Sequence, residues 1–215
     1  MQIKKLGVLS LGTQATDFYI KALDKHQAFE LLKTDFDKIN ALLPKPSKQL
    51  EKILKNYVGE LISLNVDKLL IPNITLHETI DKINPPLNII HPLPLSVSAV
   101  KQKQKDKVVL FGSIHTMKSP YIKSNLISNN IRVLLPSDAD MQFIDAVRRQ
   151  VYQRKTTKKL LDDFNCLVTK YAQRHAVVIA CTELSIVLKS CNANVFDMAR
   201  LQVKSVIKPP NKYNI

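Results

Sequence analysis

The residues VLSLGTQATDFYIK (8–21) return later in the chain as VLFGSIHTMKSPYIK (109–123). Each copy opens on an apolar run of strand character, meets a glycine, and continues with apolar residues at helical spacing. Gly12 answers Gly112, Thr13 answers Ser113, and both copies close on Tyr-Ile-Lys. A second pair follows in the same order, LLIPNIT (69–75) and VVIACTE (177–183), which sets Asn73 against Cys181. From the glycine to that position is 61 residues in the first half and 69 in the second. Two ordered matches at similar spacing predict a duplicated α/β unit. Sites in open α/β sheets lie at the strands' C-terminal ends, so these turns are where chemistry is expected.

Between the matched segments, strand and helix signals alternate. Strands are expected over 3–11, 28–34, 67–72, 108–112, 131–135 and 176–180, with a short one near Val195. Helices are expected over 13–23, 48–64, 74–83, 116–127, 138–174 with a break near RKTTKK, 181–189 and 197–207. Residues 84–95, NPPLNIIHPLPL, read as non-helical because of their prolines, with one short strand. KQKQKDK (101–107) has no apolar face and reads as an exposed connection. Pro120 is expected in the first turns of a single helix. The whole pattern predicts an α/β fold of mainly parallel sheets flanked by helices. It splits into a first lobe of residues 1–97 plus 198–215 and a second of residues 98–197.

Composition removes other classes. No apolar run approaches the roughly 18–20 residues of a membrane span. The N-terminal stretch lacks a clean signal-peptide pattern, so the expected location is cytoplasmic. The three cysteines, Cys166, Cys181 and Cys191, are odd in number and form no CxxC pair, which argues against a disulfide framework or a zinc site. Lys+Arg is 32 against Asp+Glu 18, a net charge of +14. That invites a nucleic-acid reading. However, 26 of the 32 are lysines scattered along the chain, and no nucleic-acid motif is present. No Walker or GxGxxG pattern points to a nucleotide. There are only 4 glycines, where average usage of about 7% would give about 15, so each is expected where the backbone needs it.

Cys181 ends a buried strand and opens a helix, a position where the helix dipole favours a thiolate. The plainer reading is a cysteine packed as a small hydrophobe. Cys166 reads as core, and Cys191 as structural or exposed. Thr13, Thr75, Ser113, Thr116 and Thr182 all fall in strand-to-helix turns. Each alone reads as a helix cap. Five near one sheet edge suggest a carboxylate or phosphate site. His77 and His115 lie nearby and read as surface histidines rather than acid/base groups.

These segments together resemble the aspartate/glutamate racemase family along nearly the whole chain. GVLSLGTQATDFY (7–19) is similar to the family's glycine-rich opening. LLIPNITLHETID (69–81) stands where the family has a Cys-Asn-Thr-Ala-His-like segment. VVLFGSIHTMKSPY (108–121) resembles Leu-Leu-Gly-Thr-x-x-Thr-Met-x-Ser, and VVIACTELSIVL (177–188) resembles Gly-Cys-Thr-Glu-Leu-Pro. VFDMARLQV (195–203) is similar to the closing Asp-x-x-x-x-His-Ala segment. The resemblance implies two pseudo-symmetric lobes with a site in the cleft between them. It implies an isomerase that racemises acidic amino acids without a cofactor or metal. Two thiols take and return the α-proton on opposite faces. Hydroxyls carried over to Thr13, Thr75, Ser113, Thr116 and Thr182 hold the carboxylates, with Lys155 as a cationic partner. It also implies a small-molecule acidic amino acid or dicarboxylate as partner, a homodimer, and no membrane or specific nucleic acid.

The departures are specific. Asn73 replaces the first-half cysteine, and an amide has no acid/base pKa to exchange a proton with. Ile74 replaces the asparagine that follows, Ser10 one glycine of the opening turn, and Gln202 the closing histidine. One thiol, Cys181, remains. The expectation is therefore racemase-like chemistry that is weak or one-sided. The alternatives are an inactive member that binds an acidic amino acid or dicarboxylate, or a single-cysteine decarboxylase of the arylmalonate decarboxylase type.

Overall fold

The computed structural model describes residues 5–24, 26–189 and 192–207. The chain divides into two compact units, residues 1–91 with 202–215 and residues 92–201.

In the first unit, β1 (Leu6–Ser10) leads into α1 (Thr13–Leu23), then β2 (Phe29–Lys33), α2 (Phe36–Ala41), α3 (Lys48–Ser63), β3 (Lys68–Leu70), α4 (His77–Ile83) and β4 (Asn88–Ile89). Its four parallel strands run in the order β2-β1-β3-β4. Leu6 pairs with Phe29 on one side and Lys68 on the other. The strand-then-helix alternation forces this: parallel neighbours need a crossover, and each crossover helix covers a face of the sheet. α3 shows how the sequence sets an element. Ser47 Oγ accepts from Leu50 N at 3.1 Å to cap it. Leu50, Leu54, Val58 and Leu61 recur at helical spacing and are buried against Leu69 and Ile71.

The second unit repeats the topology. α5 (Pro92–Gln102) is followed by β5 (Lys107–Phe111), α6 (Ile114–Lys118), α7 (Pro120–Ser128), β6 (Arg132–Leu134), α8 (Asp138–Tyr152), α9 (Lys158–Ala172), β7 (Ala176–Ile179), α10 (Thr182–Val187), β8 (Val195–Asp197) and α11 (Met198–Ile207), whose last residues belong to the first unit. Its parallel sheet runs β6-β5-β7-β8, the first sheet's order with every strand advanced by four. Phe111, Ile144, Val147, Phe164, Val177 and Ile179 form its core. The duplication read from the sequence is thus present in the strand order, and the α/β expectation holds. No helix among the described residues is long and apolar enough to cross a membrane.

Two local expectations fail for identifiable reasons. Residues 92–95 are helical despite Pro92 and Pro94, because both sit in the first turn of α5. Helix-start N–H groups have no intrahelical partner to lose there. The charged run 101–107 is correspondingly shorter as a connection, since Lys101 and Gln102 end α5 and Lys107 opens β5. The expected single helix around Pro120 is two. Ser119 stands before proline, is driven out of the helical region to φ −60°, ψ 124°, and breaks α6 from α7.

Candidate active site

In each unit the two central parallel strands end side by side, and their following turns carry the residues singled out from the sequence. In the second unit β5 and β7 pair from Val108 with Ala176 to Phe111 with Ile179. The ladder extends one step further, with Ala180 N donating to Phe111 O at 2.8 Å. This puts the Gly112–Ser113 turn beside the Cys181–Thr182 turn. The approach is close: a Cβ on Gly112 would stand 2.9 Å from Thr116 Cγ2 and 3.3 Å from Ala180 O. Ser113 caps α6, its Oγ accepting from Thr116 N at 3.0 Å and bonding Thr116 Oγ1 at 2.8 Å.

Cys181 caps α10 through its backbone; its side chain makes no capping bond. Instead Sγ donates to Glu183 Oε2 at 3.0 Å. Burial first, and then the negative charge of Glu183, push the thiol well above its usual range. The thiolate expected from the helix dipole is therefore not the resting form. α10 has only six residues, and its dipole is outweighed by desolvation. Thr182 is 3% exposed, and its Oγ1 is buried with no hydrogen-bond partner among the described residues. A buried hydroxyl left unpaired in a finished fold costs about 1–3 kcal/mol, which a ligand could recover.

Behind this turn, Ser185 Oγ donates to Asp197 Oδ1 at 2.8 Å, and Asp197 Oδ2 pairs with Arg200 Nε at 3.2 Å. On α8, the buried Asp145 accepts from Ile114 N at 3.3 Å and from Arg148 Nε at 3.0 Å, and pairs with Arg149 Nε at 3.3 Å. It fastens the Ser113 turn to α8. Arg148, whose charge acts on the Cys181 thiol, is thereby held in place. Lys155, the sequence's cationic candidate, is exposed in the link between α8 and α9.

In the first unit β1 and β3 end side by side in the same way. Gly12 takes φ +69°, a region L side chains avoid, and caps α1 with Thr13 as its exposed first residue. Thr16, 4% exposed, accepts from Leu11 N at 2.8 Å. Asn73 folds back on its own turn: Oδ1 accepts from Leu76 N at 3.1 Å, and its carbonyl accepts from His77 Nδ1 at 2.9 Å. Thr75, half-buried, lies in the same turn, and Ile74 is buried apolar.

Two expectations need correction, those for His77 and Cys166. His77 is fully buried rather than on the surface, pushed down to about 3 by burial above all and by His91 next. His115 is half-buried, at the Ser113–Thr116 turn. Cys166 is exposed rather than core, because α9 turns Phe164 and Val168 inward and the residue between them outward. Cys191 lies outside the described residues. Gln202, at the position of the resembled family's histidine, is buried; it accepts from Tyr19 Oη and donates to Ile90 O, each at 2.6 Å.

Sequence reasoning missed Thr16, Asp145 and Arg148. Thr16 had a signal: the spacing from Thr13 to Thr16 is that from Ser113 to Thr116. Asp145 and Arg148 had none, being two charges among many on an amphipathic helix.

No family model matches the chain, and no curated protein matches it. Solved structures do. An aspartate racemase homologue from Pyrococcus horikoshii is similar at 20% identity and TM-score 0.78, over 95% of this chain and 98% of that one. The aspartate racemase of Picrophilus torridus is similar at 20% identity and TM-score 0.75, over 98% of this chain and 97% of that one. Glutamate racemase from Francisella tularensis, in complex with D-glutamate, is similar at 14% identity and TM-score 0.56, over 94% of this chain and 78% of that one. With its duplicated four-stranded parallel sheets, the chain has the fold of the aspartate and glutamate racemase structures.

Proposed function

We propose that this protein is a racemase-type isomerase of the aspartate/glutamate kind, working without a cofactor at the α-carbon of an acidic amino acid. Cys181 is the acting thiol. Thr182, Ser113 and Thr116 bind carboxylate oxygens beside it, and Thr75, with Thr13, serves the first unit's turn. The observation that carries the reading is the Cys181–Thr182 turn itself. It holds a buried thiol next to a buried, unpaired hydroxyl, flanked by the capped Ser113 turn. A neutral core site would satisfy that hydroxyl internally. A carboxylate oxygen would do so from outside. Arg148 rather than the exposed Lys155 is the better-placed cation, because Asp145 fixes it and its charge reaches the thiol. The shared fold, including a relative holding D-glutamate, supports the substrate class.

Asn73 makes the chemistry one-sided. Its Oδ1 is engaged by Leu76 N–H in the turn before α4, and an amide has no acid/base pKa suited to proton transfer. Aspartate and glutamate of each hand, incubated in D₂O and followed by the NMR signal of the α-proton, should show exchange in one enantiomer only. Cys181→Ala should lower that exchange by about 10²-fold or more, and Asn73→Cys should raise full racemisation. Wild-type exchange that is absent, or unchanged in Cys181→Ala, overturns the proposal. Ligand-induced thermal stabilisation without exchange would instead identify a binding protein.

A second reading is favoured by the thiol's protonation. A protonated Cys181 is ready to donate to a carbanion rather than to create one. A malonate-type substrate that loses CO₂ would supply that carbanion, and Cys181 would protonate one face. Release of CO₂ from such a substrate, lost in Cys181→Ala, separates this from racemisation.

A further inference from the structure

We infer that Cys181 and Glu183 act as one proton-holding pair, with Glu183 as the positioning residue that carries the thiol's proton to and from water. The inference rests on Cys181 being the acting thiol. The Sγ–Oε2 distance is 3.0 Å, a direct transfer contact. Cys181 is buried at 8% exposure, whereas Glu183 is half-buried and keeps part of its surface toward solvent. A buried thiol needs such a neighbour, because it cannot exchange its proton with water directly. The need is greater in a chain whose other strand-end position is an amide. In a two-thiol cycle the second thiol resets the first. Here the reset must come from elsewhere.

Glu183 takes the proton from Sγ, leaving a thiolate and a carboxylic acid. The acid gives its proton to water. The thiolate then takes the α-proton from the substrate, leaving a carbanion and restoring S–H. While the carbanion is held, Glu183 passes that proton from Sγ to water and brings a solvent hydrogen back to Sγ; the thiol then gives it to the carbanion on the same face, leaving the thiolate. The other charges near the thiol have partners of their own. The positive charge of Arg148, on α8, favours the thiolate; Arg148 and Arg149 are both tied to Asp145. Asp197 and Arg200 are paired with each other beyond Ser185. Glu183 is the carboxylate in contact with Sγ.

The test uses the full chain and needs no substrate in its first arm. Alkylation of Cys181 by iodoacetamide is followed against pH by mass spectrometry of its own peptide, so that Cys166 and Cys191 do not contribute. Glu183→Gln removes a like charge and should lower the pH midpoint by about one unit or more. Glu183→Asp keeps the charge and should stay near wild type. A midpoint that Glu183→Gln leaves in place or raises overturns the pair. In the second arm, Glu183→Gln should slow deuterium exchange into the active enantiomer at least about tenfold, with KM within about twofold. An unchanged exchange rate overturns the relay. If wild type exchanges no α-proton but the alkylation midpoint still falls in Glu183→Gln, the pair stands and the proposed reaction fails.

Discussion

His77 shows what a single buried side chain imposes. A carbonyl can only accept, so the 2.9 Å contact to Asn73 O requires Nδ1 to carry the proton. In the neutral ring Nε2 is then an acceptor, and it faces Gln202 Nε2 at 3.5 Å. Protonation would put a second proton against a donor, in a site with no exposure, 4.7 Å from the ring of His91. Burial above all, and His91 next, lower its pKa from 6.5 to about 3. Between those values the unfolded chain binds a proton that the native chain does not, so this contribution to stability is intact above pH 6.5 and drains away as pH falls. The slope is about 1.4 kcal/mol per pH unit. Urea unfolding of wild type from pH 7 to 4 should show that loss, and His77→Asn, less stable at pH 7, should show a flatter dependence by about that slope. Equal slopes would mean the buried imidazole is not the titrating group. The sequence hides this because Leu76, Ile80 and His77 form the inward face of α4 only once the helix start is known, and that start depends on Asn73. The same asparagine was legible as a missing thiol. Its bond to Leu76 N in the turn before α4 was not.

At the scale of elements, the four glycines divide by what surrounds them. Gly12 needs its positive φ, and a Cβ there would also press on Phe36 at 3.0 Å. Gly59 has neither reason: it is exposed in the interior of α3, and a Cβ would meet nothing within 4 Å. There glycine only adds backbone entropy to the unfolded chain. Gly59→Ala should stabilise by about 0.5–1 kcal/mol, a rise of a few degrees in Tm by calorimetry. A loss of stability would show that the exposed face of α3 is occupied in solution. Element reading from the sequence succeeded where period and cap agree, as in α3 with Ser47 ahead of its Leu50–Leu61 stripe. It failed where one residue has two positional meanings. Pro92 and Pro94 start a helix that they would break five residues further in. Cys166 follows the apolar composition of α9 but not its inward face. α2, six residues capped by Asp35, is too short for its period to register.

For the whole molecule, the repeat was the legible quantity. Two glycine turns and two strand ends, read in order, anticipated a duplicated α/β unit, and the two sheets share one strand order. Charge was the ambiguous one. The net +14 gives a sequence pI of about 9.7. Among the described residues, several ion pairs are exposed links within one helix, such as Lys159 with Asp163 at 2.6 Å and Lys158 with Asp162 at 3.5 Å. Exposed pairs of this kind are worth about 0–1 kcal/mol each and weaken in salt. The excess positive charge acts the other way. It repels itself throughout the folded surface, and that repulsion is screened once the Debye length falls below about 10 Å, near 0.1 M salt. With 32 basic against 18 acidic residues, the second effect should win. Raising sodium chloride from low millimolar to about 0.3 M should therefore raise Tm by a few degrees, measured by calorimetry at pH 7.5, where His77 stays neutral in the folded and unfolded chain alike. A falling Tm would mean that the local pairs outweigh the excess charge, and that the lysines are placed to hold the fold rather than to draw anions toward it.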